Sequence, residues 1–238
     1  MAQRPTILFL FLLFFSLSSM AEVSWTYEKM STTAGNEITY AVVLPDGFDA
    51  GKEYTMLLAL PPGRQNKDMV EYVLKAQWAS GGHQRNWIVI SPIAPSDGFV
   101  GGSNMKDFYA HLMEKYKVKD KKLHLTGISN GGMSSFRLAL KHPDYFKSIT
   151  VLPGFSKDFD QFEKIKHLPI NLFVGENDTD WVGPMKEMEE KLEAVGAKVN
   201  WNVLPGEGHE LKSLYNNSKV FDAIEGKLAK HHQGQPAK

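Results

Sequence analysis

One short segment combines a nucleophilic side chain with the small residues that a nucleophile needs around it. The segment Gly127-Ile128-Ser129-Asn130-Gly131 contains the pattern G-x-S-x-G. An apolar run precedes it and a helical pattern from Met133 to Lys141 follows it. This order is the strand–turn–helix setting of a nucleophile elbow, in which the serine attacks a carbonyl carbon. The alternative interpretation is a glycine-rich turn whose serine has no chemical role.

The flanking residues fit a sharp turn that exposes the serine. Gly127 and Gly131 lie two residues on either side of Ser129, and without Cβ atoms they let a strand and a helix approach closely. Asn130 stands at the start of the following helix, where its backbone N–H can face a developing oxyanion. The pattern therefore predicts Ser129 as nucleophile and Asn130 as one oxyanion donor.

A serine at neutral pH needs a base, and the base needs a carboxylate to orient it. In folds built around this elbow the acid follows the serine and precedes the histidine in the chain. Asp178 occupies that position, just after the apolar run Ile170–Val174. Glu176 and Asp180 compete with it, but Asp178 stands three residues after Gly175, the usual distance from the strand end to the acid.

The base is predicted from its position after the last apolar run, Val199–Leu204. His209 follows that run in a glycine-rich loop, which can fold the imidazole back over the elbow. His124 lies inside the strand that leads to Ser129, so packing is its simpler role. The histidines interpreted as packing or surface residues are His83, His111, His124, His142 and His167. Serine, acid and histidine thus fill the expected positions in the expected order.

A second oxyanion donor is expected in the loop after the apolar run Tyr54–Leu60. Pro61 and Pro62 have no N–H and cannot donate. The donor must come from Gly63, Arg64 or Gln65, of which Arg64 is favoured.

Short apolar runs alternate with helical patterns along the chain. The predicted strands are Glu37–Leu44, Tyr54–Leu60, Trp87–Ile90, Leu123–Ile128, Ser148–Leu152, Ile170–Val174 and Val199–Leu204. Besides the helix after the elbow, apolar stripes at helical spacing lie within Met69–Leu74, Met105–Tyr116, Met185–Val195 and Val220–Leu228. These stripes are interpreted as core packing. The alternation predicts a mainly parallel sheet covered by helices on both faces.

The residues around the elbow resemble a known family. Leu125–Met133 and Arg137–Phe146 are similar to secreted α/β-hydrolase esterases, the group of polyhydroxyalkanoate depolymerases, feruloyl and acetylxylan esterases and small phospholipase/carboxylesterases. The resemblance runs from about Tyr54 to Glu210. It implies a three-layer α/β-hydrolase fold with little or no lid, and a triad of the serine, acid and histidine named above. Family members often carry His-Gly in the oxyanion loop, where this chain has Pro61-Pro62-Gly63.

Composition excludes several other classes. The chain has 238 residues, with 27 basic and 27 acidic residues and no cysteine. Without an excess of Lys and Arg it lacks the simplest basis for binding nucleic acid, so we expect no nucleic-acid partner. Without cysteine it has no disulfide, thiol nucleophile or cysteine metal site. We expect no metal and no cofactor, and the oligomeric state stays open.

The amino terminus has the pattern of a secretory signal peptide. Met1–Ala21 carries a single charge, Arg4, and nine uninterrupted apolar residues, Ile7–Phe15. The alternative is an uncleaved membrane anchor, although about 20 apolar residues are needed to span a bilayer. Cleavage leaves one predicted domain of 217 residues, 22–238, with a net charge of −1 and a frayed tail from about His231 to Lys238. We therefore expect a secreted or periplasmic protein.

These features predict a serine hydrolase that cleaves small-molecule or polymer-linked carboxylic esters. The segment Pro153–Pro169 leaves little room for a lid, so we expect an open, shallow site that suits bulky alcohols better than long acyl chains. Two alternatives remain. One is a serine peptidase of the prolyl-oligopeptidase type, which shares the elbow and the residue order, and the other is a catalytically silent hydrolase-like binding protein.

Overall fold

The computed structural model describes residues 23–95, 98–99 and 103–228. The predicted signal peptide (1–21) and the predicted frayed tail (231–238) lie outside the described residues and stay predictions. Within the described ranges, no helix combines the length and the apolar character needed to cross a membrane.

Among the described residues, eight strands form one sheet. They are β1 (Thr26–Ser31), β2 (Glu37–Val43), β3 (Met56–Leu60), β4 (Ile88–Pro92), β5 (Leu123–Gly127), β6 (Phe146–Val151), β7 (Ile170–Gly175) and β8 (Val199–Leu204). Their spatial order is β1-β2-β4-β3-β5-β6-β7-β8. The pairs β1–β2 and β2–β4 are antiparallel, and all the other pairs are parallel. The seven predicted strands are confirmed to within two residues at either end.

The strand that the sequence did not predict is β1. It lies at the edge of the sheet, where it pairs antiparallel with β2 through the register Thr26↔Val42 to Ser31↔Glu37. None of its six residues is fully buried. An edge strand of this kind needs no apolar run, so its sequence carries no strong strand signal.

Within the described part of the chain, six α-helices pack on the two faces of the sheet. They are α1 (Lys67–Val73), α2 (Ala79–Gln84), α3 (Asn104–Lys115), α4 (Asn130–Lys141), α5 (Thr179–Ala194) and α6 (Lys219–Ile224). Two of them differ from the predicted stripes, because α5 begins six residues before Met185 and α6 ends four residues before Leu228. Gly226 follows α6 with a φ of +71°, which stops the helix.

The helix after β3 contains an unexpected wide turn. Between α1 and α2 the residues Leu74–Trp78 form a π-helix, in which the N–H of Ala79 donates to the carbonyl of Leu74, five residues back. The glycines of α2 explain why that helix was not predicted. A Cβ on Gly81 would lie 2.2 Å from the ring of Phe221, and one on Gly82 would lie 2.3 Å from Val89. Close packing therefore requires two residues that ordinarily disfavour a helix.

Side chains of the central strands alternate between two cores. In β3, Met56, Leu58 and Leu60 pack on one side of the sheet, and Leu57 and Ala59 pack on the other. Helices α3, α4 and α5 cover the first face, and α1, the π-helix, α2 and α6 cover the second. This arrangement confirms the predicted three-layer fold. It also places the carboxyl ends of β5, β7 and β8 at one edge of the sheet.

Candidate active site

Ser129 occupies the turn between β5 and α4 in a backbone conformation that non-glycine residues rarely adopt. Its φ is +55° and its ψ is −118°. A residue held in such a region costs on the order of 1–3 kcal/mol, so the surrounding structure must enforce it. Here the Ser129 N–H donates to the carbonyl of Pro153 at 2.8 Å, and the Met133 N–H donates to the carbonyl of Ser129 at 3.0 Å.

The glycines around the serine are required by close backbone contacts. A Cβ on Gly127 would lie 2.2 Å from the carbonyl oxygen of Gly131, and one on Gly131 would lie 2.2 Å from the carbonyl oxygen of Leu60. These contacts confirm the role predicted for both residues. Gly132 has the same constraint, because its Cβ would lie 2.3 Å from the carbonyl oxygen of Pro153. Backbone atoms cannot move aside, so larger side chains at these positions would displace the elbow.

The structure brings the predicted serine, histidine and acid into one chain of hydrogen bonds. His209 Nε2 lies 2.9 Å from Ser129 Oγ, and His209 Nδ1 lies 2.8 Å from Asp178 Oδ2. An Nδ1–H tautomer donates to the carboxylate and leaves Nε2 to accept the serine proton. The side chain of Asp178 is 8% exposed and that of His209 is 40% exposed. The acid is therefore shielded from water while the histidine can reach a substrate.

The two competing carboxylates lie elsewhere. Glu176 is exposed, and its Oε2 accepts a hydrogen bond from the Gly206 N–H at 2.9 Å. Asp180 is exposed in the first turn of α5. The geometry thus agrees with the choice of Asp178 over its neighbours.

The loop that carries the acid is locked against the loop that carries the histidine. A Cβ on Gly175 would lie 2.3 Å from the carbonyl oxygen of Gly208, and the Asn177 N–H donates to the carbonyl of Glu207 at 2.8 Å. The carboxylate of Glu207 in turn accepts backbone hydrogen bonds from Ser213 and Lys212, at 3.0 and 2.9 Å. Hydrogen bonding with Ser213 is the main cause of a lowered pKa of Glu207. These contacts hold Asp178 and His209 in fixed positions relative to each other.

Two aromatic residues that sequence reasoning missed support the histidine. The ring of Trp181 packs on the ring of His209, with centroids 4.9 Å apart at 50°. Phe155 meets Trp181 edge-on, with centroids 5.2 Å apart. Both aromatic side chains are half-buried. The available signal was the position of Trp181, three residues after the acid in the first turn of the next helix.

The residue after Ser129, Asn130, stays a predicted oxyanion donor. It is the first residue of α4. The N–H groups on either side of it are occupied, since that of Ser129 donates to Pro153 and that of Gly131 donates to Ile128 at 2.8 Å. The Asn130 N–H stands between them at the amino end of the helix, where an anion is favoured.

The second donor loop is tied to the elbow through a side chain. Asn130 Nδ2 donates to the carbonyl of Gly63 at 2.8 Å, and Gly63 adopts a φ of +57° that suits glycine. The Gln65 N–H donates to the carbonyl of Pro62 at 3.0 Å and is therefore occupied. Gly63 lines the same pocket as Ser129, and Arg64 is exposed to solvent. Gly63 and Arg64 both stay predicted donors.

A largely apolar pocket of about 390 Å³ opens beside the serine. Its lining residues are Pro62, Gly63, Met69, Tyr72, Val73, Ala76, Gln77, Ile128, Ser129, Leu152, His209, Glu210, Leu211 and Tyr215. This pocket corrects the expectation of a shallow site. The walls come mainly from α1, the π-helix and the segment after His209, and none of the lining residues belongs to 153–169. Met69, expected in the core, lines this pocket and is only half-buried.

The far wall of the pocket is joined by two hydrogen bonds. The hydroxyls of Tyr72 and Tyr215 bond to each other, and the Asn216 N–H donates to the carbonyl of Ala76 at 2.8 Å. Burial, together with the Tyr72 hydroxyl, raises the pKa of Tyr215 above its ordinary value. Tyr215 therefore stays protonated near neutral pH and brings no charge to the pocket.

Comparison with known proteins agrees with this description. Residues 105–201, which include Ser129 and Asp178, match the model of the Esterase family. No curated protein sequence matches the chain.

Three solved structures share the fold at low sequence identity. An S-formylglutathione hydrolase from Staphylococcus aureus is 14% identical with a TM-score of 0.68, over 86% of this chain and 96% of that one. A ferulic acid esterase from the anaerobic fungus Anaeromyces mucronatus is 16% identical with a TM-score of 0.64, over 84% and 88% of the two chains. A thermostable esterase is 18% identical with a TM-score of 0.65, over 85% of this chain; the present chain spans 59% of it.

The fold is therefore that of the α/β-hydrolases, as the resemblance around the elbow implied. The family match and this fold together support hydrolysis of carboxylic esters as the reaction.

Proposed function

We propose that this chain is an exported serine esterase that works through an acyl-enzyme on Ser129. The observation that supports the proposal most strongly is the hydrogen-bonded series from Asp178 through His209 to Ser129, at an elbow that opens into a pocket.

In the acylation step, Ser129 Oγ attacks the carbonyl carbon of the ester while its proton moves to His209 Nε2. Asp178 holds the Nδ1–H tautomer and stabilises the imidazolium that forms. The negative charge on the carbonyl oxygen is held by the N–H of Asn130 and by a second N–H from Gly63 or Arg64. The tetrahedral intermediate then collapses, and the alcohol leaves with the proton from His209 Nε2.

Deacylation reverses these roles with water as the nucleophile. His209 removes a proton from water, the resulting hydroxide adds to the acyl carbon, and the same oxyanion donors act again. Collapse expels Ser129 Oγ, which takes the proton back, and releases the carboxylic acid.

The shape of the site supports a proposal for the class of ester. A pocket of about 390 Å³ lies within the range of small-molecule sites and suits one apolar group of moderate size. The half-buried ring of Trp181 contacts the rings of His209 and Phe155, and neither Trp181 nor Phe155 lines this pocket, so we assign these two rings to the bulky or polymer-linked group. We expect p-nitrophenyl butyrate and hexanoate to be cleaved faster than the palmitate. A clear preference for palmitate would contradict this substrate class.

The purified chain of residues 22–238 tests the reaction. A fluorophosphonate probe should label wild type and fail to label Ser129→Ala, and wild type should hydrolyse esters faster than matched peptides. Absence of labelling would favour a silent binding protein, and a preference for peptides would favour a peptidase. Ester hydrolysis at the wild-type rate by Ser129→Ala or His209→Ala would overturn the residue assignment.

Export is supported by the pattern of residues 1–21 and has its own test. Amino-terminal sequencing of the protein from the secreted or periplasmic fraction should begin at Glu22. A chain that keeps Met1 in the membrane fraction would instead identify an uncleaved anchor.

A further inference from the structure

Gln77 is a buried polar residue in the wall of the pocket beside Ser129. It is 3% exposed and belongs to the π-helix Leu74–Trp78. Among the described residues, no hydrogen bond reaches its side-chain amide. Its amide atoms are not among the side-chain atoms that are both fully buried and without a partner, so they keep contact with the open space of the pocket. A polar group without a partner in an apolar wall calls for an explanation.

The other polar side chains of the pocket are already engaged. Ser129 and His209 bond to each other, as do the hydroxyls of Tyr72 and Tyr215. Glu210 is exposed and lies 3.1 Å from the ammonium group of Lys212. Within the described lining, Gln77 is the polar side chain whose donors and acceptor are all left for a bound molecule.

A second observation points to the same position. The wide turn that contains Gln77 is a departure from the α-helix, and single π-turns occur often at functional sites. It is held in part by the Asn216 N–H, which donates to the carbonyl of Ala76, the residue before Gln77. An unpartnered amide and an irregular turn thus coincide in the wall of one pocket.

Building on the proposed esterase function, we propose that Gln77 is a specificity-determining residue. Its amide binds a hydroxyl or carbonyl group that the substrate carries within its apolar part, away from the ester being cleaved. A side-chain amide both donates and accepts, so it matches either group. The preferred substrates are then esters whose pocket-bound group is apolar except for one oxygen substituent.

Paired substrates test this proposal. One series contains p-nitrophenyl hexanoate and its hydroxylated forms, with the hydroxyl at successive carbons. A second series contains acetates of hexanol and hexanediols, because the pocket could hold either side of the ester. Wild type should prefer one hydroxylated member of a series by roughly tenfold in kcat/KM, the effect of one good hydrogen bond. In Gln77→Leu this preference should disappear or reverse, mainly through KM.

A matched control and a stability measurement accompany the assay. Gln84→Leu removes an exposed glutamine two turns further along, in α2, and should behave as wild type. Gln77→Leu should unfold at or above the wild-type temperature, because leucine leaves no unpaired amide. If Gln77→Leu does not fold, Gln77→Met takes its place in the assay, because the methionine side chain is more flexible.

The outcomes separate this inference from the proposed function. If wild type hydrolyses both members of every pair equally, or if Gln77→Leu keeps the preference, Gln77 does not determine specificity. If wild type hydrolyses no ester, the proposed function fails. In that case, calorimetry measures the affinity of Ser129→Ala for the same ester pairs. Equal affinities for the two members of every pair would overturn the role proposed for Gln77.

Discussion

Two serine–histidine pairs lie at opposite ends of the same strand, β5. At its amino end, His124 Nδ1 is 2.7 Å from Ser148 Oγ. Beyond its carboxyl end, His209 Nε2 is 2.9 Å from Ser129 Oγ. By distance alone, both pairs could be a base and its nucleophile.

Their surroundings separate them. His209 bonds to Asp178 and is 40% exposed, whereas the His124 residue is 8% exposed and stacks on Trp87. Burial lowers the pKa of His124 to about 4, so this ring stays neutral near pH 7 and is a poor proton acceptor. Ser148 is buried within strand β6, whereas Ser129 stands on a strained turn at a pocket. A serine–histidine hydrogen bond therefore identifies a candidate catalytic pair only under three conditions. A carboxylate must bond to the histidine, a substrate must be able to reach the pair, and the serine must stand on an exposed turn.

The largest expected difference between the pairs is in turnover. Ser129→Ala should lower kcat for p-nitrophenyl butyrate by about 10⁴–10⁶, since the loss of a triad serine removes the covalent pathway. Ser148→Ala should keep kcat within about threefold of the wild-type value. Ser148 lies near the opposite end of β5 from Ser129 and shares no hydrogen-bond partner with it. Steady-state kinetics on both purified variants decides the matter. Comparable losses of kcat in the two variants would contradict the distinction between the Ser129–His209 and Ser148–His124 pairs.

Removal of the carboxylate should make the catalytic pair resemble the buried one. Asp178→Asn should lower kcat by roughly 10⁴, because the amide no longer favours the tautomer that accepts the serine proton. Glu176→Gln and Asp180→Asn are the matched controls and should stay within about twofold of wild type. A larger loss in either control than in Asp178→Asn would move the role of the acid to that residue.

The buried pair should appear in the pH dependence of stability. The stability that neutral His124 contributes is fully present above pH 6.5. It is lost as the pH falls toward 4, because the unfolded chain then binds a proton that the folded chain does not. The loss amounts to about 3 kcal/mol for a shift of this size. Urea unfolding at pH 7 and at pH 4 measures it. In His124→Asn the free energy of unfolding should fall less steeply, and an equal slope would contradict the assignment.

The smallest effect concerns the tryptophan beside each histidine. Trp181→Leu should lower kcat by about 2–10-fold with little loss of stability, since an aromatic contact of this kind is worth about 0.5–1.5 kcal/mol. Trp87→Leu should do the opposite, lowering the unfolding temperature and leaving kcat near wild type. The two variants are compared by thermal unfolding and by kinetics. A larger kinetic effect at Trp87 would contradict the separation of the pairs.

The parts of the site that the sequence predicted are those that chemistry ties to fixed local spacing. Ser129 stands between Gly127 and Gly131 because the elbow tolerates no Cβ atoms there. Asp178 and His209 follow recognisable buried strands in a set order. These relations depend on a few neighbouring residues, so a single sequence displays them.

The remaining parts depend on contacts between distant segments. The walls of the pocket join α1 to the segment around Tyr215, more than 130 residues later, and no local pattern encodes that meeting. Gln77 in the π-turn and Trp181 beside the histidine are ordinary helix residues by sequence. Helix α2 was missed because Gly81 and Gly82 serve packing against Phe221 and Val89 at the expense of helix propensity.

The backbone at residue 129 has a consequence for how this chain can change. Its φ of +55° and ψ of −118° suit glycine far better than serine, so Ser129→Gly would relieve strain and stabilise the fold. Selection for stability alone would therefore remove the hydroxyl from this position. At position 129, the residue that would favour folding therefore differs from the residue that the proposed chemistry needs, and the chain carries the second.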